Sequence, residues 1–155
     1  MISNKIMLED WQIDAFVGTN IKYYKKKWKE HSGIIYGGWN WVAFFFGIEW
    51  AIYRKMYGMA ILGTLITSVI GFVLMMLLNI GLNGKFYGDI LKIIFAIWGN
   101  GIYRKKLMTL LKKTKSMTKT EQECVLSQKG GTNILGLCAF VVFEVLTLIV
   151  MISRF

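Results

Sequence analysis

Tyr57–Leu78, YGMAILGTLITSVIGFVLMMLL, carries no charged residue over its 22 positions. As an α-helix it would be about 33 Å long, enough to cross a hydrocarbon core of about 30 Å. Its Ile, Leu, Val and Phe residues each favour insertion, and no ionisable group opposes them. The segment therefore reads as a transmembrane helix. Gly63, Thr67 and Gly71 recur at every fourth position. That spacing places a small-residue stripe on one face, where another helix, internal or from a partner, packs closely.

Downstream, Asn79–Lys85 (NIGLNGK) is a turn, and Phe86–Tyr103 must return as a second span. This second segment holds Asp89 and Lys92, spaced i,i+3 for mutual pairing, and Asn100, which can hydrogen-bond across a helix interface. Residues 104–133 form a basic polar loop beginning RKKLMTLLKK, in which Leu107, Leu110 and Leu111 keep helical spacing. The preceding helix is thus expected to extend into the loop, which ends at Gly130-Gly131. Ile134–Ile152 is a third span, with Glu144 near its middle. Intramembrane ionisable residues are expensive, so Glu49, Asp89, Lys92 and Glu144 are the polar candidates at membrane depth, with Asn100 beside them.

Upstream, residues 41–52 (WVAFFFGIEWAI) are apolar but give only about 18 Å of helix, and basic residues flank both ends. A re-entrant or interfacial helix satisfies both facts. Residues 1–40 form a polar N-terminal segment in which IKYYKKKWKE, after Thr19-Asn20, is a basic amphipathic helix broken by Gly33, Gly37 and Gly38. Ile21, Tyr24 and Trp28 share one face, while Lys22, Lys25, Lys26 and Lys29 occupy much of the rest. This helix either lies on an anionic leaflet or is solvated with its aromatics turned onto the protein.

The whole chain of 155 residues is 55% apolar, has a mean hydropathy of +0.46 and lacks proline. A soluble domain of this size cannot hide so much apolar surface. The net charge of +10 would suit nucleic acid, but the basic residues flank apolar stretches, as the positive-inside rule requires. Nucleic-acid binding is therefore set aside. The repeated IYRKM (Ile52–Met56) and IYRKK (Ile102–Lys106) place Tyr53, Arg54, Lys55, Tyr103, Arg104 and Lys105 at the membrane surface. Together with Lys22, Lys25, Lys26, Trp28 and Lys29 they form the candidate basic and aromatic surface. The N-terminus and the basic loop fall in the cytoplasm, the 79–85 turn outside, and Arg154-Phe155 outside.

The run from Phe16 to Tyr57, with AFVG, the tyrosine- and lysine-rich helix and WNWVAFFFGIEWAIYRKMY, resembles a bacterial family called domain of unknown function 2628. NGIYRKK at Asn100–Lys106 and KGGTN at Lys129–Asn133 are similar to further segments of that family. The resemblance implies an architecture and no reaction. Glu49 departs from the apolar or proline-containing pair common there.

No nucleophile-base pair, paired-carboxylate motif or P-loop spacing is present, so an enzyme is not expected. Cys124, Cys138 and His31 lack metal-ligand spacing, and no cofactor is implied. The expected protein is all-α and polytopic, with three transmembrane helices, a short re-entrant or interfacial helix and the basic amphipathic helix. It lies in the bacterial cytoplasmic membrane against anionic lipids. It acts as an accessory or immunity-type subunit for another membrane protein or membrane-active peptide. The alternative is a homo-oligomeric transporter or channel using the intramembrane carboxylates.

Overall fold

The computed structural model of the protein describes residues 8–31, 37–78 and 84–153. Seven helices and no strand occur among the described residues: α1 (Asp10–Val17), α2 (Ile21–Glu30), α3 (Trp41–Tyr53), α4 (Tyr57–Leu78), α5 (Gly84–Lys113), α6 (Lys119–Lys129) and α7 (Ile134–Ile152). Most of the 79–85 turn, Gly33 and the terminal Arg154-Phe155 lie outside the described residues.

The local chemistry sets the helix ends. Glu9 and Gln12 form a capping box at the start of α1, and Thr118 with Glu121 does the same for α6. Asn40 caps α3 by accepting from the Ala43 backbone at 3.0 Å. α2 starts from Asn20 in the left-handed conformation, φ 59°, a region that asparagine tolerates better than most residues. Within α3, Gly47 has φ 49° and ψ −113°, so the helix is two short halves joined at a kink. A side chain at Gly47 would be strained there and would also press on Lys92 Cγ, 3.0 Å from an added Cβ.

α5 is the frame. α3, α4 and α2 all pack against it, α3 most extensively, while α1 packs on α6 and α2. The core collects Phe16, Tyr24, Trp28, Trp50, Phe95, Tyr103, Leu107 and Leu126. At Gly63 an added Cβ would lie 3.0 Å from Leu91 Cδ2 and 3.3 Å from the Phe95 ring, so this end of the small-residue stripe is filled by an internal helix. Thr67, 2% exposed, turns its hydroxyl back to Gly63 O at 3.0 Å, and Gly71 is buried too.

Two helices among the described residues are long and apolar enough to cross a membrane: one over Tyr57–Leu74, and one in the C-terminal stretch ending at Val150. The predicted 86–103 span falls within α5 and is less apolar than these two, because Asp89, Lys92 and Asn100 interrupt its run. The basic loop expected over 104–133 is largely helical. α5 continues unbroken to Lys113, which its leucine spacing had indicated, and α6 occupies most of the remainder. Lys119–Lys129 is polar and lacks apolar periodicity, yet its capping box closes a helix that buries Leu126.

Candidate functional site

Two interlocked arrangements hold the basic end of the molecule together. The first joins the Gly-Trp-Asn segment before α3 to Gly99-Asn100-Gly101 of α5. Asn40 Nδ2 donates to Asn100 Oδ1 at 2.9 Å. Asn100 Nδ2 in turn donates to the Tyr23 hydroxyl at 3.0 Å and to Gly38 O at 3.1 Å. Trp28 Nε1 reaches Asn100 O at 3.0 Å, and Asn40 N reaches Ala96 O at 2.9 Å. With Asn40 and Asn100 both fully buried, every polar group named has a partner, which is what a buried network needs in order to stabilise. The glycines make the approach: a Cβ on Gly37 would sit 2.5 Å from Gly101 N, and one on Gly99 would sit 2.8 Å from the Trp50 ring.

The second arrangement encloses Arg54. The residue is 2% exposed, and no carboxylate pairs with it among the described residues. Its Nη1 donates to Val17 O at 3.1 Å and Thr19 Oγ1 at 3.3 Å, and Nη2 donates to Thr19 O at 3.2 Å. Val17 is the last residue of α1, so the guanidinium caps the negative end of that helix. The rings of Tyr24, Tyr53 and Tyr103 lie 4.8, 5.4 and 5.6 Å from it, a cation–π cage in place of an acid. Burial pushes the Tyr24 phenol up to about 12, although the Arg54 charge opposes that rise.

The two YRK segments thus pack on one another rather than serving as separate surface anchors. Trp28, Arg54 and Tyr103, expected at a membrane surface, are interior, and Arg104 is 7% exposed. An arginine following an apolar run looks the same in sequence whether lipid headgroups or tyrosine rings receive it. The aromatic face of α2 is accordingly turned onto the protein, while Lys22, Lys26 and Lys29 remain exposed. Lys25 pairs with Asp14 at 2.7 Å and Asp10 at 3.3 Å. Tyr53 and Lys55 are half-buried, and Lys105 is exposed.

A third feature continues from the cage. Lys106 Nζ donates to Lys55 O at 2.9 Å, and Lys55 Nζ donates to Gln128 O at 3.0 Å. Burial, and then the charges of Lys55 and Lys129, hold the Lys106 ammonium down at about 8. Next in the chain, Gly131 N donates to Phe16 O at 2.6 Å, and Asn133 N donates to Tyr53 O at 2.8 Å. Asn133 Nδ2 reaches the Tyr57 hydroxyl at 2.6 Å while its Oδ1 caps α7 through Gly136 N at 2.8 Å. The Lys-Gly-Gly-Thr-Asn block therefore ties α7 to the junction of α3 and α4.

Of the other polar candidates, Asp89 and Lys92 pair at 3.4 Å, and Glu144 is exposed on α7. Glu49, half-buried, lies on the α3 half that follows the kink. Glu49 and Lys92 both flank Gly47, Asn100 bonds instead to Asn40, Tyr23 and Gly38, and no group of His, Cys, Asp and Glu suited to a metal forms among the described residues. The sequence reading did not connect Asn40 with Asn100, or Arg54 with Tyr24. The one shared feature was that each asparagine follows a Gly/Trp pair, Gly38-Trp39-Asn40 and Trp98-Gly99-Asn100.

No curated protein and no solved structure matches the chain significantly. The family model described as protein of unknown function (DUF2628) matches residues 14–108. That segment is more than half of the chain, contains the Asn40–Asn100 network and the Arg54 cage, and stops before the Lys-Gly-Gly-Thr-Asn block. The chain belongs to the DUF2628 family, whose matched segment is the helical assembly built around these two buried arrangements.

Proposed function

We propose that the protein is a multi-pass bacterial membrane protein that acts as an interaction subunit, of accessory or immunity type, for another membrane protein or a membrane-active peptide. In this reading α4, the first half of α5 and α7 cross the cytoplasmic membrane. The kinked α3 is re-entrant. α1, α2, α6 and the second half of α5 form a basic head on the cytoplasmic side, near anionic lipids.

The supporting observation is α7. It touches the rest of the protein chiefly through α3. Val142 is 58% exposed, Phe143 65% and Leu148 58%, and at about 100° per residue these three positions are spread right round the helix. A helix apolar all round and covered on one side belongs in lipid or against another apolar helix. Glu144 stands in its middle, uncharged neighbours on both sides, and a carboxylate there is costly unless a partner supplies a donor. The same exposed acid would suit the second reading, an oligomeric transport pathway.

Cysteine accessibility tests the membrane placement. Cys124 on α6 is exposed, and a membrane-impermeant maleimide should label it in inside-out vesicles. Leu146→Cys, in a Cys124→Ser, Cys138→Ser background, should label only after detergent is added. Equal labelling of both in intact vesicles would overturn the placement. Photocrosslinking from α7 in native membranes then separates the two roles: a foreign membrane protein or peptide supports the interaction subunit, and a self-adduct alone favours the oligomeric pathway.

A further inference from the structure

The third feature has a chemistry that the architecture does not consume. Lys55, Lys106 and Lys129 are brought together where α3 turns into α4 and α6 runs into α7, and none of them has a carboxylate partner among the described residues. Lys55 is held there with φ 56°, a left-handed conformation that a lysine adopts at some cost. Lys55 and Lys106 each spend one ammonium proton on a backbone carbonyl, which fixes the two heads and leaves their other protons available. The Lys106 ammonium, depressed to about 8 by burial and by its two cationic neighbours, is in an environment that an added anion would relieve.

Between α3, α4 and α7 opens a groove of about 380 Å³, lined by Ile48, Ile52, Tyr57, Ile61, Leu65 and Phe140 among others. Its walls are almost wholly apolar. The Tyr57 hydroxyl, bonded to Asn133, marks the end nearest the lysines, since Tyr57 follows Lys55 by two residues and Asn133 follows Lys129 by four. An apolar slot of this kind with cations at one end has the complementarity of a lipid: a fatty chain for the slot and a negative headgroup for the lysines.

We propose that the α3–α4–α7 groove is a binding site for one anionic phospholipid, its acyl chain along Ile52, Ile61 and Phe140 and its phosphate held by Lys55, Lys106 and Lys129. This site rests on the membrane placement proposed above, and it goes further in naming the ligand class and the residues that recognise it. Phosphate suits the lysines because point charges with rotatable donors accept its oxygens without a fixed fork geometry. The lipid would also cover the seam along which α7 meets the rest of the protein, so its retention and the seating of α7 are coupled.

The test is native mass spectrometry of the full chain in mild detergent, titrated separately with phosphatidylglycerol, phosphatidylcholine and soluble glycerol phosphate. Expected is one phosphatidylglycerol retained per chain in preference to phosphatidylcholine. Retention should fall about a hundredfold in the triple variant Lys55→Gln, Lys106→Gln, Lys129→Gln, at roughly one surface-lysine increment per residue removed. Ile61→Trp, which fills the groove from an exposed position without touching a lysine, should also abolish it. Lys129→Gln alone, at an exposed helix end, gives a partial loss even if the triple variant fails to fold. Equal retention of the two phospholipids overturns the site, as does retention unaffected by Ile61→Trp. If glycerol phosphate competes as well as the lipid does, the ligand is the phosphate group alone and the groove plays no part. Sedimentation with washed membranes reports separately on the membrane placement, so a protein that stays with membranes yet shows no lipid preference rejects only the lipid site.

Discussion

Asn40 and Asn100 meet amide to amide, Nδ2 to Oδ1 at 2.9 Å, across the buried contact of α3 with α5. Asn100→Leu removes the partners of Asn40 Nδ2 and Gly38 O together, while the Tyr23 hydroxyl keeps its bond to Trp39 O. Orphaned buried groups cost about 1–3 kcal/mol each, so the variant should lose about 3 kcal/mol or more. Thermal unfolding in mild detergent measures this. A double-mutant cycle with Asn40→Ala should show strong coupling, since the two side chains share one network; strict additivity would count against that network.

Arg54→Lys should be nearly as damaging as Arg54→Met. The ammonium cannot reach Val17 O, Thr19 Oγ1 and Thr19 O at once, and it presents no plane to the tyrosines. We expect about 2–4 kcal/mol lost from either substitution. Hydrogen exchange should rise first at the C-terminal turn of α1, whose carbonyls the guanidinium caps. Full protection of α1 in Arg54→Lys would show that the cap is dispensable.

Lys106 gives the head a pH dependence of defined sign. Its ammonium has a native value of about 8 against an ordinary lysine value of about 10.4 once unfolded. The unfolded state therefore binds more protons between these limits, and stability should rise with pH across that window. The slope stays below the one-proton limit of about 1.4 kcal/mol per pH unit, because solvent screens a partly exposed group. Tyr24 acts in the opposite direction: raised to about 12, it contributes stability that is lost as pH climbs from about 10 through that value. Denaturation between pH 8 and 9.5 isolates Lys106, and Lys106→Met should flatten the rise. A rise that persists in Lys106→Met would assign it to another group.

Glycine substitutions should divide by what an added methyl meets. Gly37→Ala drives Cβ to 2.5 Å from the Gly101 backbone nitrogen, where nothing can yield, and should cost about 3 kcal/mol. Gly58→Ala meets nothing within 4 Å and should be neutral or stabilising by up to about 1 kcal/mol, from helix propensity alone. Comparable melting of the two variants would contradict the close approach of the 37–40 segment to α5.

These contrasts also show what the sequence discloses. α4 and α7 are legible because long apolar runs have few alternatives, and the Leu107-Leu110-Leu111 spacing reveals the extension of α5. Asp89 and Lys92 pair as their i,i+3 spacing suggests. α1 and α6 were missed: each is short, neither shows a clear apolar period, and their capping boxes at Glu9–Gln12 and Thr118–Glu121 are four-residue signals found in many loops. The Arg54 cage was hidden for a different reason. Tyr-Arg-Lys after an apolar helix fits a headgroup anchor equally well, and only the return of Tyr24 and Tyr103 from distant parts of the chain decides between the two.

The unbroken length of α5 has a mechanical consequence. Its 30 residues make a rod of about 45 Å, anchored at one end by α3 and α4 and at the other by the head. Helices accommodate a change in bilayer thickness by tilting. A tilt of about 10° would swing the far end of a rod this long by about 8 Å, and the Asn100 and Arg54 clamps would carry α1 and α2 with it. On the membrane placement proposed above, the head would be geared to the thickness of the membrane below it, which paired spin labels on α2 and α4 would register as a change in head position when short-chain lipids replace long-chain ones.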